Sequence, residues 1–343
     1  MPLFSPQQDL KFRTNIMSDS SRLQSLLSDE ALTHYENGRE AHRLSKGVGQ
    51  LELARTQELL SRYLPPPPAV IFDVGGGNGI YAFWLAQQGY EVHLIDAVPL
   101  HIEQAQIYSQ TQRAHPLASI AVGDARQLNR ADASVDAVVL LGLLYHLIER
   151  SDRIAALRET HRILKNGGLV FAVGISRFAS TLDGLFRGYL DDPEFVAIVQ
   201  RDLAEGQHRN PSNHPAYFTT AFFHHPEELK AEVEEAGLSC ENILAIEGSG
   251  WLLQNFEEHW SQPSRRERLL QSIRWLETEP STLGMSAHIM AIALKTEPVG
   301  DWLPELRSGE ALRASGTGRA TRSLKKRQSS RFCQKRGSKY HQT

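Results

Sequence analysis

Ala69-Val70-Ile71-Phe72-Asp73-Val74-Gly75-Gly76-Gly77-Asn78-Gly79 joins a short apolar, β-branched run to glycines at alternate positions, and a helical pattern from Ile80 to Gln88 follows. The stretch reads as a strand, a tight glycine turn and a helix N-terminus in immediate succession. Glycine lets the backbone take positive φ and approach a ligand with no Cβ in the way. The first N–H groups of the helix have no intrahelical partners and point at whatever lies above them. A nucleotide-like ligand with an anionic group is therefore expected at the carboxyl end of this strand.

The spacing narrows the ligand. A dinucleotide fingerprint needs G-x-G-x-x-G, and counting from Gly75 and Gly77 puts Ile80 where its third glycine should stand. That argues against an NAD-dependent oxidoreductase. No Gly-Lys-Ser/Thr follows, which excludes an NTPase phosphate loop. What stands here is D-x-G-x-G-x-G. A second strand pattern, Glu91 to Ile95, ends in Asp96, whose carboxylate can accept hydrogen bonds from both hydroxyls of a ribose. A third run, Ser119 to Val122, ends in Gly123-Asp124-Ala125. A fourth, Val135 to Leu141, leads into Gly142-Leu143-Leu144-Tyr145-His146-Leu147.

With these four strand ends in order, residues from about Val70 to Thr296 resemble the class I S-adenosylmethionine (SAM)-dependent methyltransferases. The resemblance is greatest to the small-molecule, methyltransferase type 11-like group that includes the ubiquinone/menaquinone-type enzymes. It implies a Rossmann-like α/β fold whose seven-stranded, mostly parallel sheet has the order 3-2-1-4-5-7-6, the final strand antiparallel. It implies SAM as cofactor. The loop matching Gly75, Gly77 and Gly79 would hold the methionine part, and Asp96 the ribose hydroxyls. Asp124 and Ala125 would read the adenine edge, and the segment from Leu141 to His146 would run beneath the sulfonium. Asp73, at the strand terminus, is read either as a support for the loop or as a contact for the SAM amino group.

In-line methyl transfer needs chiefly alignment, so no covalent intermediate and no metal is expected. A general base helps where the acceptor is a hydroxyl or an acidic carbon. Tyr145 and His146 follow the fourth strand, where loops face the ligand crevice, and His146 is the candidate base with Tyr145 beside it. Histidines between residues 208 and 225 lack the tight spacing of a metal site. Among them His214, with Tyr217, is expected to contact substrate.

Residues 1–17 read as disordered and 18–64 as N-terminal helices that help form a lid. The SAM-binding domain spans 65–300, with insertions at 175–225 and 250–283. A connection as long as 175–225 is rare in a compact domain without a task, so it reads as a helical lid over an acceptor pocket. Residues 301–343 form a basic tail: from 311 onward there are ten Lys and Arg and no Asp or Glu. The rest of the chain holds 27 Lys and Arg against 40 Asp and Glu. The tail reads as a disordered, solvated extension. A nucleic-acid or anionic-membrane arm is the competing reading, and with it a tRNA or rRNA methyltransferase. No run approaches 18 apolar residues, so no membrane span is expected. Only Cys240 and Cys333 are present, which suits a reducing, cytoplasmic setting. The partner expected is a small-molecule methyl acceptor.

Overall fold

The computed structural model describes residues 43–297. The expectations for 1–17, for the first part of the N-terminal helices and for the basic tail at 301–343, Cys333 included, lie outside the described residues.

Helix α1 (Gly49–Tyr63) ends at Leu64, whose extended ψ of 144° hands the chain to Pro65–Pro68. These prolines cannot continue a helix and deliver the chain into the sheet. Strands and helices then alternate: β1 (Val70–Val74), α2 (Ile80–Gln87), β2 (Glu91–Asp96), α3 (Pro99–Ser109), β3 (Ser119–Val122), β4 (Val135–Leu140), α4 (Arg150–Ile163) and β5 (Leu164–Ser176). After β5 come α5 (Ala179–Arg187), α6 (Pro193–Glu205), two short strands β6 (Gln207–His208) and β7 (Ala221–His224), then α7 (Pro226–Glu235) and β8 (Ser239–Ala245). Helices α8 (Phe256–Ser261) and α9 (Pro263–Leu276) precede the last strand, β9 (His288–Leu294).

The main sheet runs β3-β2-β1-β4-β5-β9-β8, with β9 antiparallel to both neighbours. Numbered as seven strands this is the expected 3-2-1-4-5-7-6. Two findings extend the expectation. Strand β7, inside the first insertion, pairs in parallel with the end of β5 through Ile175↔Phe223 and Ser176↔His224. Strand β5 also starts at Leu164, not after Gly167-Gly168: Gly167, at φ +77°, bends the strand so that its N–H reaches Lys295 O, and the register against β4 shifts there. Gly167 is thus a bend within the strand.

Both faces of the sheet are covered, and alternation within β1 shows it. Phe72 and Val74 pack with Val138, Leu157 and Val233 under α4 and α7, whereas Ile71 packs with Leu60, Leu85 and Ile102 under α1, α2 and α3. Two buried ionic clusters fasten the layers. Arg55 of α1, fully buried, donates to Ile246 O at 3.1 Å and pairs with Glu277 at 2.5 Å, beyond the end of α9. Arg153 of α4, also buried, forks onto Glu232 of α7 at 2.8 and 2.9 Å, donates to the carbonyls of Leu147 and Ile148, and lies 3.6 Å over the Phe222 ring. Glu232 is held on its other side by His224 at 3.3 Å. No helix among the described residues is long and apolar enough to cross a membrane.

Candidate functional site

At the carboxyl ends of β1, β2 and β4 lies a cavity built on the glycine loop. The Gly75 and Gly76 N–H groups donate to Ile95 O, at 2.8 and 3.3 Å, and Gly77 N–H donates to Asp96 Oδ2 at 2.8 Å. Asp96 Oδ1 accepts from Val98 N–H at 2.8 Å and faces His101 Nδ1 at 3.1 Å. This one carboxylate therefore ties the loop after β1 to the N-terminus of α3. Gly77, at φ +58°, faces open space: a Cβ there would have only His101 Nδ1 within 4 Å, at 4.0 Å, and would stand in the cavity.

Asp73 sits below the loop with no solvent exposure, and neither carboxylate oxygen has a hydrogen-bond partner of ordinary geometry. Burial first, and then the charge of Asp96, raise its pKa to about 7; the Ala82 N–H acts weakly the other way. A buried, unsatisfied carboxylate lining a cavity is costly unless a cation or donor completes it. Gly76 crosses directly above, where an added Cβ would come within 2.5 Å of Asp73 Cγ and of Leu94 Cδ1. Gly76→Ala is therefore expected to cost about 1–3 kcal/mol of stability, the usual price of overpacking. A thermal melt of the variant at wild-type stability would contradict this packing.

The cavity brings together Asp73, Gly75, Gly77, Asp96, Leu141, Tyr145 and His146 from the expected site. Gly79 lies outside its lining; it is the N-cap of α2 at φ +87°, packed against Leu94 and Phe83. Asp124 and Ala125 also lie outside it. Asp124 Oδ1 accepts from Arg126 N–H at 2.9 Å, and the Arg126 guanidinium holds both its oxygens.

A second cavity opens between the end of β5, the first insertion and Trp251, and Arg43 and Tyr145 line both cavities. Tyr217 lines the second, with its hydroxyl donating to Asp192 Oδ2 at 2.5 Å and its ring against Phe195. That bond raises the phenol pKa to about 12. His214 lines neither cavity; it is exposed, its ring 4.1 Å from that of Tyr217.

Sequence reasoning missed Arg43, Glu52 and His101 in the first cavity and Arg43 and His288 in the second. Arg43 pairs with Glu52 through both guanidinium ends, one at 2.9 Å. His288 Nδ1 meets Glu247 Oε1 at 2.6 Å and lies 3.9 Å from Glu52. Glu52, Glu247 and His288 bring ligand-type atoms within 4.8 Å of one another. None of these residues belongs to a strand-end motif, and they meet only through the fold.

Residues 72–172 match the methyltransferase domain family. A ubiquinone biosynthesis O-methyltransferase of Xanthomonas axonopodis pv. citri is 28% identical over 203 residues, covering 57% of this chain and 72% of that protein. A ubiquinone/menaquinone biosynthesis C-methyltransferase of Acidiphilium cryptum is 29% identical over 210 residues, covering 57% and 79%. Among solved structures, a methyltransferase in complex with the Haloferax volcanii Trm112 methyltransferase activator superposes with a TM-score of 0.50 at 14% identity, over 79% of this chain and 100% of that one; at that identity the likeness is one of fold. The matched domain begins in β1 and ends in β5, so every residue of the first cavity except Arg43, Leu44 and Glu52 falls inside it, and residues 72–172 form a SAM-dependent methyltransferase domain.

Proposed function

We propose that the first cavity holds SAM and the second a small organic acceptor, with the methyl group passing between them beside Tyr145. The observation that carries the reading is Asp73. A buried carboxylate with two unsatisfied oxygens is completed by the ammonium of the methionine moiety, a cation with three donors. Asp96 has the remaining lone pairs to accept ribose hydroxyls, and the open face of Gly77 leaves room beside its backbone. When bound, SAM supplies an electrophilic methyl carbon on a sulfonium. Asp124 and Ala125 would serve the adenine end, where Asp124 would share its carboxylate with Arg126.

The second cavity favours a small, ring-bearing acceptor. Tyr145, Phe218, Phe223 and Trp251 give it flat apolar walls, with His208, Ser180 and Asp183 as its polar points. Such a mixture orients a small organic molecule. The two named relatives methylate at oxygen and at carbon respectively, in quinone biosynthesis, which supports the same acceptor class. The 175–225 segment and Trp251 would cover this acceptor and exclude water. Tyr217 would form part of the wall, and His214, above it, would act at the entrance.

The test is the pH dependence of cofactor binding. Only ionised Asp73 attracts the ammonium, so SAM affinity is expected to rise about tenfold between about pH 5.5 and pH 7, as the carboxyl titrates. Asp73→Asn should bind more weakly and lose that slope. Calorimetry showing the same slope in the variant would remove Asp73 from the ammonium site.

A further inference from the structure

The acceptor side of the junction holds a histidine that no strand-end motif assigns. We propose that His288, oriented by Glu247, is the general base that takes the proton from an acceptor hydroxyl in the second cavity. The inference rests on the proposed placement of cofactor and acceptor.

His288 opens β9, and Glu247 follows β8. The antiparallel pairing of these strands, with Ala245↔Ile289 as its last pair, brings them side by side. Glu247 is almost wholly buried, and three hydrogen bonds besides that to the ring fix its position. Its Oε2 accepts from Ser286 Oγ at 3.0 Å and from His288 N–H at 2.9 Å, while its own N–H donates to Ser286 Oγ at 3.0 Å. Its Oε1 takes Nδ1 of the ring at 2.6 Å. A carboxylate on Nδ1 sets the tautomer with the proton on that nitrogen and leaves Nε2 to accept a proton from a ligand in the cavity that His288 lines. His146, by contrast, lines only the first cavity, with the cofactor.

The groups facing His288 come from every side. Glu247 lies beyond β8, Glu52 on α1, Arg43 before α1, and Tyr145 after β4 with its ring 6.2 Å away. Burial opposes a charged ring, yet Glu247 and Glu52 outweigh it and the weaker repulsion of Arg43, so the imidazole pKa is raised. The ring is thus a stronger base than a free histidine. The proton transfer is simple: the acceptor O–H bond breaks, its electron pair stays on oxygen, and the proton bonds to Nε2. The oxygen pair is then available for the methyl transfer the enzyme carries out, and the proton leaves to water afterwards.

The test uses 4-nitrocatechol, a phenol whose ionisation is read in its visible spectrum, with the protein saturated in S-adenosylhomocysteine. Wild-type protein should show the ionised spectrum at least one pH unit below free probe. In the same sample the ¹⁵N shift of His288 Nε2 should move to the protonated value. His288→Gln should abolish the shift, and Glu247→Gln should move it to higher pH, while both keep S-adenosylhomocysteine affinity within about twofold. An ionised spectrum retained by His288→Gln, an unprotonated Nε2 in the wild-type complex, or no spectral shift with wild type each overturns the proposal. So does loss of the shift on adding EDTA, which would assign Glu52, Glu247 and His288 to a metal. Failure of S-adenosylhomocysteine to bind at all would count against the cofactor placement instead.

Discussion

Asp96→Ala is expected to weaken S-adenosylhomocysteine binding by about 3 kcal/mol, on the order of a hundredfold in Kd. Two losses combine. The first is the charge-assisted bonds that the ribose hydroxyls would make to the carboxylate. The second is internal: the Gly77 and Val98 N–H groups both lose the oxygen they donate to, so the glycine loop and the start of α3 are no longer held together. Asp96→Asn keeps one acceptor oxygen without the charge and should fall between the two proteins. Calorimetry on the three forms decides it, and an Asp96→Ala variant that binds like wild type would remove Asp96 from the cofactor site.

Arg153→Met should destabilise the fold by about 3–5 kcal/mol, because it takes away the buried guanidinium that forks onto the Glu232 carboxylate and leaves only the more exposed Arg150 guanidinium, 3.8 Å away, to face it. At this domain size that corresponds to a fall in Tm on the order of 10 °C. Burial alone would raise the Glu232 carboxyl, but the bonds and charges of His224 and Arg153 outweigh it and hold the pKa at about 2. A carboxyl depressed in the folded state stabilises fully above its unfolded value near 4.5, and that contribution disappears as pH falls through about 2. Wild type should therefore lose stability steeply between those limits, and Arg153→Met should show a flatter acid limb. The double variant Arg153→Met/Glu232→Leu should recover most of the loss, since it removes the stranded charge. A single variant within 1 kcal/mol of wild type in urea unfolding would show that the pair is dispensable.

Local chemistry explains what could be read from sequence. A strand end, a glycine turn and a carboxylate seventeen residues after Gly79 are signals carried by neighbouring residues, so Asp73, Gly75, Gly77 and Asp96 converge as expected. Leu141, Tyr145 and His146 followed because β4 ends there. The second cavity was less legible. Tyr217 lines the second cavity, whereas His214, expected beside it, is exposed and lines neither cavity. His288 and Glu247 stand forty-one residues apart, and only the β8–β9 pairing makes them neighbours. Strand β7 is not legible in the sequence because a four-residue run that ends in His224 and is followed at once by His225 and Pro226 carries little periodicity. Gly167-Gly168 shows the same limit, because glycine ends a helix and bends a strand equally well.

Strand β9 is inserted between β5 and β8, although it is the last of the described strands to leave the ribosome. Roughly 110 residues separate the end of β5 from its partner. At about 5–20 residues per second, the inner edge of β5 waits on the order of ten seconds during synthesis with unpaired N–H and C=O groups. That edge reads Val170-Phe171-Ala172-Val173, an apolar surface suited to joining another chain. The nascent protein thus passes through a stage in which its cofactor half can be assembled while its sheet stays open. Chaperone capture of ribosome-bound chains should peak between the emergence of β5 and that of β9, and should fall once β9 has closed the gap.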